Sequence, residues 1–227
     1  MTQAGNVTYN GPEDVPATVP VFPLAGALLL PRGQLPLNIF EPRYLEMVAA
    51  ALRGARLIGM VQPLIPTRDA GVPAVADLAT VGCLGRITQY AETGDGRIIL
   101  TLTGVSRFRL AGEIDTSAPF RTCRIDTVPF AEDFTPGSGN DDVDRKTLMT
   151  TFRAFLEARD LEADWNSIDR ASNESLVNTL SMMSPYGPAE KQALLEAPTL
   201  KARADMLVAV TELALASEQG ETRAPLQ

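Results

Sequence analysis

Between Pro136 and Asn140 the run Pro-Gly-Ser-Gly-Asn breaks the chain into two kinds of pattern. Before it, apolar residues recur mainly every second position. After it, every periodic segment is helical. A chain of this kind must combine a β-rich part with an all-helical part. The second part holds no candidate strand, so neither a parallel sheet nor a strand beyond residue 140 is expected.

The β signals are strongest in the middle of the first part. Leu78–Glu92 and Arg97–Ile114 flank Thr93-Gly94-Asp95-Gly96, whose Asp-Gly step favours a tight hairpin turn. Ile98, Leu100 and Leu102 alternate with Ile99, Thr101 and Thr103, and Gly104 predicts a bulge or bend. Phe120–Phe130 is the last β segment. Segments this long, interrupted by glycine, suit a coiled and nearly closed sheet. Upstream, Thr18–Leu24 carries Pro20 and Pro23 and reads as an edge strand. Leu35, Leu37 and Ile39 predict another strand, and Arg56–Val61 a third. Between them Pro42 suits the first turn of a helix over 42–53, with Tyr44, Met47, Val48, Ala51 and Leu52 on one face and Gly54 as a left-handed cap. Residues 1–17 are polar and turn-rich and read as a flexible arm, and residues 64–76 as a loop. The expected organisation is an arm over 1–17, a six-stranded β domain over 18–135 and a helical bundle over 141–218. The fold class is therefore α+β.

In the helical part Leu148, Met149, Phe152, Phe155 and Leu156 share a face behind Asp141, Asp142 and Asp144. Ser172 is placed to cap a helix with Leu176, Val177 and Leu180 inward. Pro188 and Glu190 open another, burying Leu194 and Leu195. Thr199 caps the last, striped by Leu200, Arg203, Leu207, Thr211 and Leu215. Residues 219–227 are expected to fray. Trp165, the one tryptophan, is expected to fill a gap between bundle and barrel.

Residue chemistry excludes many activities. The chain has no histidine, which removes Ser-His and Cys-His nucleophile systems and most metal hydrolases. Cys83 and Cys123 are too few for a four-cysteine zinc site and read as small buried hydrophobes. No phosphate-binding loop, nucleophile elbow or dinucleotide fingerprint occurs. Lys146, Lys191 and Lys201 read as solvated surface lysines rather than one half of a Ser-Lys dyad. No catalytic residue, metal ligand or cofactor is expected. The net charge is −8, with 11 basic and 13 acidic residues over 1–135 and 9 against 15 over 136–227. That sign disfavours nucleic acid and anionic membranes. No stretch reaches the length of a membrane span and Met1–Asn10 lacks the features of a secretory signal, so a cytoplasmic location is expected.

A family resemblance rests on specific residues. Val21-Phe22-Pro23-Leu24, followed by Leu30-Pro31-Arg32-Gly33-Gln34-Leu35-Pro36-Leu37-Asn38-Ile39-Phe40-Glu41-Pro42-Arg43-Tyr44, resembles the start of the Lon protease substrate-binding domain. Ile58-Gly59, Val81-Gly82, Gly85-Arg86-Ile87, Asp95-Gly96-Arg97, Gly104 and Arg107-Phe108 follow in the family's order. Glu190-Lys191-Gln192 with Leu194-Leu195-Glu196 looks like the family's "KQ-LLE" helix. The resemblance covers roughly residues 18–215. It implies a PUA-like β pseudo-barrel followed by a helical bundle, in a stand-alone form without the ATPase and peptidase domains.

What the resemblance implies for function is a non-catalytic module that binds unfolded or tagged polypeptide segments, as an adaptor in protein quality control. No oligomeric state is indicated. A small-ligand or RNA-binding PUA-like module is the alternative. Two segments are candidates for peptide contact. Phe40, Arg43 and Tyr44 form a strand-to-helix joint, in which Phe40 is expected to pack under the helix and Arg43 to pair with Glu41 or a barrel carbonyl. Met182, Met183 and Tyr186 flank Ser184-Pro185, where methionine suits either an adaptable binding surface or the core face of a helix.

Overall fold

The computed structural model describes residues 1–64 and 77–222, with side chains through Ser217 in the last helix. The loop expected over 64–76 and the fraying over 219–227 fall largely outside them. The strands are β1 (Thr2–Ala4), β2 (Val7–Tyr9), β3 (Thr18–Pro23), β4 (Gln34–Ile39), β5 (Leu57–Val61), β6 (Val81–Glu92), β7 (Ile98–Ile114) and β8 (Thr122–Asp126). The α-helices are α1 (Pro42–Arg53), α2 (Arg145–Ala158), α3 (Trp165–Arg170), α4 (Asn173–Met183), α5 (Pro188–Glu196) and α6 (Leu200–Thr222). The fold is α+β, with a mixed sheet first and helices in the C-terminal part. The chain divides into two compact units, Met1–Pro136 with Pro185–Leu195, and Gly137–Ser184 with Glu196–Gln227.

In the first unit six strands run in the order β4-β7-β6-β5-β3-β8, and β8 returns to pair with β7. Strand β7 makes closure possible by its length of 17 residues. Its first half pairs with β4 and its last residues with β8, while β6 lines its other edge. The register shifts beside Gly85 and Gly104 mark the bulge that Gly104 predicts. A side chain at Gly104 would collide with the Leu30 carbonyl, because the 30–33 turn lies directly on the strand. There Arg32 N–H donates to the Gly104 carbonyl at 2.8 Å and Gly104 N–H to Gly33 at 2.9 Å.

Strand β3 is interior, not an edge. Thr18–Pro20 pair with β8 and Val21–Pro23 with β5, the one parallel pair recorded among the described residues. The two prolines are tolerated because each neighbour takes only half of the strand. Val21 N–H points to β8 and Leu24 N–H to β5. By alternation Pro20 would point toward β5 before that pairing begins, and Pro23 toward β8 after that pairing has ended.

Helix α1 spans Pro42–Arg53 and buries Tyr44, Met47, Val48 and Ala51, as its spacing predicts. Its end differs from expectation. Gly54 is not left-handed, and Arg56, at φ 60°, takes that conformation instead. Both residues donate their N–H groups to the Ala51 carbonyl.

The segment read as a flexible arm is ordered. Strands β1 and β2 form a hairpin, and Ala4 and Tyr9 enter the same apolar cluster as Val19, Val21, Leu84, Phe108 and Phe134. Both cysteines are free and buried.

Helix α5 clusters with the β unit rather than with the other helices. Its polar residues explain this. Lys191 Nζ donates to the Gly26 carbonyl at 2.9 Å and Gln192 Nε2 to Val81 at 3.1 Å. Gln62 accepts from Gly26 N–H and donates to the Pro188 carbonyl. Lys191 is thus half-buried, not solvated, and burial lowers its pKa. A buried ion pair closes the unit. Arg107 meets Asp133 at 2.9 Å, with side chains 6% and 8% exposed, and also reaches the Leu195 carbonyl.

In the second unit α2 is capped by Asp144, α3 by Asp164 and α4 by Ser172, each accepting the N–H three residues on. Thr199 Oγ1 accepts from Ala202 N–H at the start of α6. Leu148, Met149, Phe155 and Leu156 are buried, and Arg203 on α6 donates to Asn178 on α4 at 3.0 Å. Trp165 is half-buried beneath the Arg153 guanidinium, 4.7 Å from its ring centre.

Candidate functional site

The strand-to-helix joint is built by alternation. In β4 the residues Gln34, Pro36 and Asn38 face solvent, and Ile39 is buried. Phe40 therefore points outward and is 61% exposed. It does not pack under α1. Glu41 turns the chain in an extended conformation, and its carbonyl accepts the N–H groups of Tyr44 and Leu45. Its carboxylate is left for the side chain two residues on. Arg43 meets it at 2.8 Å, and the guanidinium lies 4.6 Å from the Tyr44 ring centre. Tyr44 is the inward member of the joint. It is buried against Phe22 with ring centres 4.3 Å apart. Burial raises its hydroxyl pKa, and the positive charges of Arg43 and Arg121 oppose that rise.

Phe40 has exposed neighbours that the sequence reading missed. The register places Ile39 opposite Ile98 and Asn38 opposite Ile99, so Phe40 and Ile99 are diagonal neighbours on one face. Ile99 is 50% exposed. Arg97 stands 5.9 Å from the Phe40 ring centre and is salt-bridged to Asp95 of the hairpin turn. The adjacent isoleucines Ile98 and Ile99 carried the signal, since one of any such pair in a strand must face away from the core.

A shallow hollow of about 410 Å³ lies in the loop from Glu113 to Arg121, lined by Ile114, Ala118 and Phe120 among others. Arg121 and Glu113 form a bidentate pair on its rim. Val21 N–H donates to the Arg121 carbonyl, which links the loop to the strand that carries Phe22.

The second candidate segment behaves differently. Met182 is half-buried, Met183 is 78% exposed, and Tyr186 is half-buried. Ser184 is buried, and its N–H closes α4 on the Leu180 carbonyl. The division between the two units falls between Ser184 and Pro185, so Met182 and Met183 belong to one and Tyr186 to the other. Of the six candidate residues, Phe40, Arg43 and Tyr44 lie at one strand-to-helix joint, Phe40 and Arg43 outward and Tyr44 inward.

Among the described residues, no group of three or more His, Cys, Asp or Glu is placed to hold a metal ion. None of the described helices is long and apolar enough to cross a membrane.

A mixed sheet closed through its longest strand, with a helix returning to it, is the architecture of a module of the Lon N-terminal type. The chain belongs to the ATP-dependent protease La (LON) substrate-binding domain family, whose profile matches residues 18–211. It is 28% identical over 206 residues to Lon protease 2 of Myxococcus xanthus, covering 86% of this chain and 24% of that protein. It is 33% identical over 211 residues to Lon protease of Parabacteroides distasonis, covering 87% and 24%. The chain thus spans about a quarter of the length of these relatives. A Lon N-terminal domain protein from Xanthomonas campestris shares the fold at a TM-score of 0.59 and 22% identity, over 85% of this chain and 97% of that one. The N-terminal domain of Mycobacterium avium complex Lon protease matches at 0.59 and 18% identity, over 86% and 98%.

Proposed function

We propose that this chain is a non-catalytic polypeptide-binding module, acting in the cytoplasm as an adaptor in protein quality control. Extended apolar segments of unfolded or tagged chains dock at the joint between β4 and α1. Phe40 carries the reading. It lies inside the family-matched region, is 61% exposed and shares its face with the half-exposed Ile99. A large aromatic left in water beside a second apolar side chain is what a partner surface needs. Arg43 and the buried Tyr44 hold the joint rigid; Met182 and Met183 offer a further apolar contact on the helical unit, and Tyr186 another on the β unit. Membership in a substrate-binding domain family supports the same assignment.

The test is a titration of a labelled, permanently unfolded polypeptide at low and high salt. Binding by apolar burial changes little with salt, whereas RNA binding weakens steeply. Phe40→Asp is expected to weaken polypeptide binding by about tenfold, the equivalent of losing a buried aromatic contact of about 1.5 kcal/mol. Its melting temperature should stay unchanged. Absence of binding, or tighter and salt-sensitive binding of an RNA oligomer, overturns the proposal.

A further inference from the structure

The family match begins at residue 18, yet residues 2–9 are part of the first unit's apolar cluster. The β1–β2 hairpin is a separate two-stranded sheet. Among the described residues, no backbone hydrogen bond recorded joins Thr2–Asn10 to the six-stranded sheet. It is fastened by side chains. Thr2 Oγ1 donates to the Asp133 carbonyl at 3.0 Å and accepts from Arg32 Nη1 at 2.9 Å. Arg86 Nη1 approaches the Tyr9 hydroxyl at 3.5 Å. Gly5 lies over Thr88 of β6. Thr2 and Ala4 are fully buried and Tyr9 is 3% exposed. The hairpin can therefore leave without breaking any rung of the closed sheet, and its departure bares the apolar surface that Ala4 and Tyr9 cover.

We propose that Thr2–Tyr9 is an intramolecular strap occupying a second polypeptide-docking surface, and that it is displaced by an extended segment carrying similar small and aromatic side chains. The proposal rests on the polypeptide-binding reading above and adds its regulation. The strap holds the surface closed in the resting chain. Polypeptide affinity for that surface is reduced by the fraction of molecules in which the strap is open.

The geometry supplies its own lock. A Cβ built at Gly5 lies 3.9 Å from Thr88 Cβ, within the range for a disulfide. Because Gly5 has φ 58°, the cysteine itself strains the hairpin and adds to the loosening of the reduced form. The full chain carrying Thr2→Val, Gly5→Cys and Thr88→Cys loses the Thr2 fastening and can be locked at will. Cys83 and Cys123 are 1% and 0% exposed and stay outside this chemistry. The probe is a labelled, reduced and carboxymethylated polypeptide, which has no thiols to exchange. The reduced variant is expected to bind it about tenfold more tightly than the native chain, and oxidation should abolish the gain. A synthetic peptide of residues 1–12 should compete. A chain lacking residues 2–10 should behave as the reduced variant, and if it does not fold, the reduced and oxidised pair decides alone. Equal, measurable affinity in the reduced and oxidised forms overturns the strap while leaving the polypeptide-binding reading in place. Absence of binding by every form overturns both.

Discussion

Replacing Asp133 with Ala tests how the first unit is held together. Its carboxylate receives three hydrogen bonds from one residue. Arg107 backbone N–H and Nε both donate to Oδ2 at 2.9 Å, and Nη2 donates to Oδ1 at 2.9 Å. The guanidinium lies 4.7 Å from the Phe130 ring centre, and Nη1 reaches the Leu195 carbonyl at 3.3 Å. With side chains 6% and 8% exposed, water cannot replace the lost partner. Removing one member of a buried pair strands the other's charge and costs about 3–5 kcal/mol. The double replacement Arg107→Met with Asp133→Leu removes both charges. It takes the carboxylate from the Arg107 N–H and the guanidinium from the Leu195 carbonyl without stranding a charge, so its cost should be about 1–3 kcal/mol. Urea unfolding followed by far-ultraviolet circular dichroism measures both, and amide exchange along β7 and α5 reports where the loss is felt. The reasoning is refuted if Asp133→Ala costs less than about 1 kcal/mol, or if the double variant is less stable than the single one.

Tyr44→Ala should destabilise the chain by about 3 kcal/mol in the same unfolding assay, because its ring is buried against Phe22, whereas truncating the exposed Phe40 should be neutral within about 0.5 kcal/mol. Asp144 and Asp164 are held below their ordinary pKa of 3.8, Asp144 mainly by Thr147 N–H and Asp164 mainly by the Ser167 hydroxyl. Their capping contribution is therefore complete above pH 3.8 and fades as pH falls through the folded values. Thermal melts of Asp144→Asn/Asp164→Asn should show a lower midpoint at neutral pH and a smaller further loss on acidification.

What the sequence revealed depended on whether the cause was local. Ser172 and Thr199 cap their helices because a hydroxyl reaches an N–H three residues away, a relation written within four residues. Pro42 begins α1 for a similarly local reason. Gly104 was legible as a break, though the contact behind it, the Leu30 carbonyl, is remote in sequence. The N-terminal hairpin was missed although Gly5-Asn6 is a recognised two-residue turn signal. Its strands have three residues each, and the inward side chains of β1 are only a threonine and an alanine. Phe40 was misread because two local rules compete there. The helix rule draws an aromatic preceding the first turn inward, while the alternation of β4 sends it outward, and the strand won. The return of α5 to the β unit had no local signature. It follows from Lys191 and Gln192 finding carbonyls 165 and 111 residues away.

The exposed strand beside Phe40 raises a problem that the fold resolves in its own sequence. β4 is the end of the strand order and, among the described residues, pairs only with β7, which leaves its outer edge without a strand partner there. The Thr101 carbonyl accepts from Thr88 Oγ1 and thus faces β6. Its neighbours Leu100 and Leu102 then face β4, where they bond Leu35 and Leu37. Pro36, opposite Thr101, consequently turns its ring nitrogen to the free edge. The outward donors of β4 are reduced to Gln34 and Asn38, separated by a residue that cannot donate. A second copy of the strand cannot continue the ladder across that gap. A polypeptide arriving at this edge must engage the side chains of Phe40 and Ile99 instead of extending the sheet. On the proposed reading, affinity at the joint is then expected to follow the apolar content of the segment rather than its capacity to form a strand.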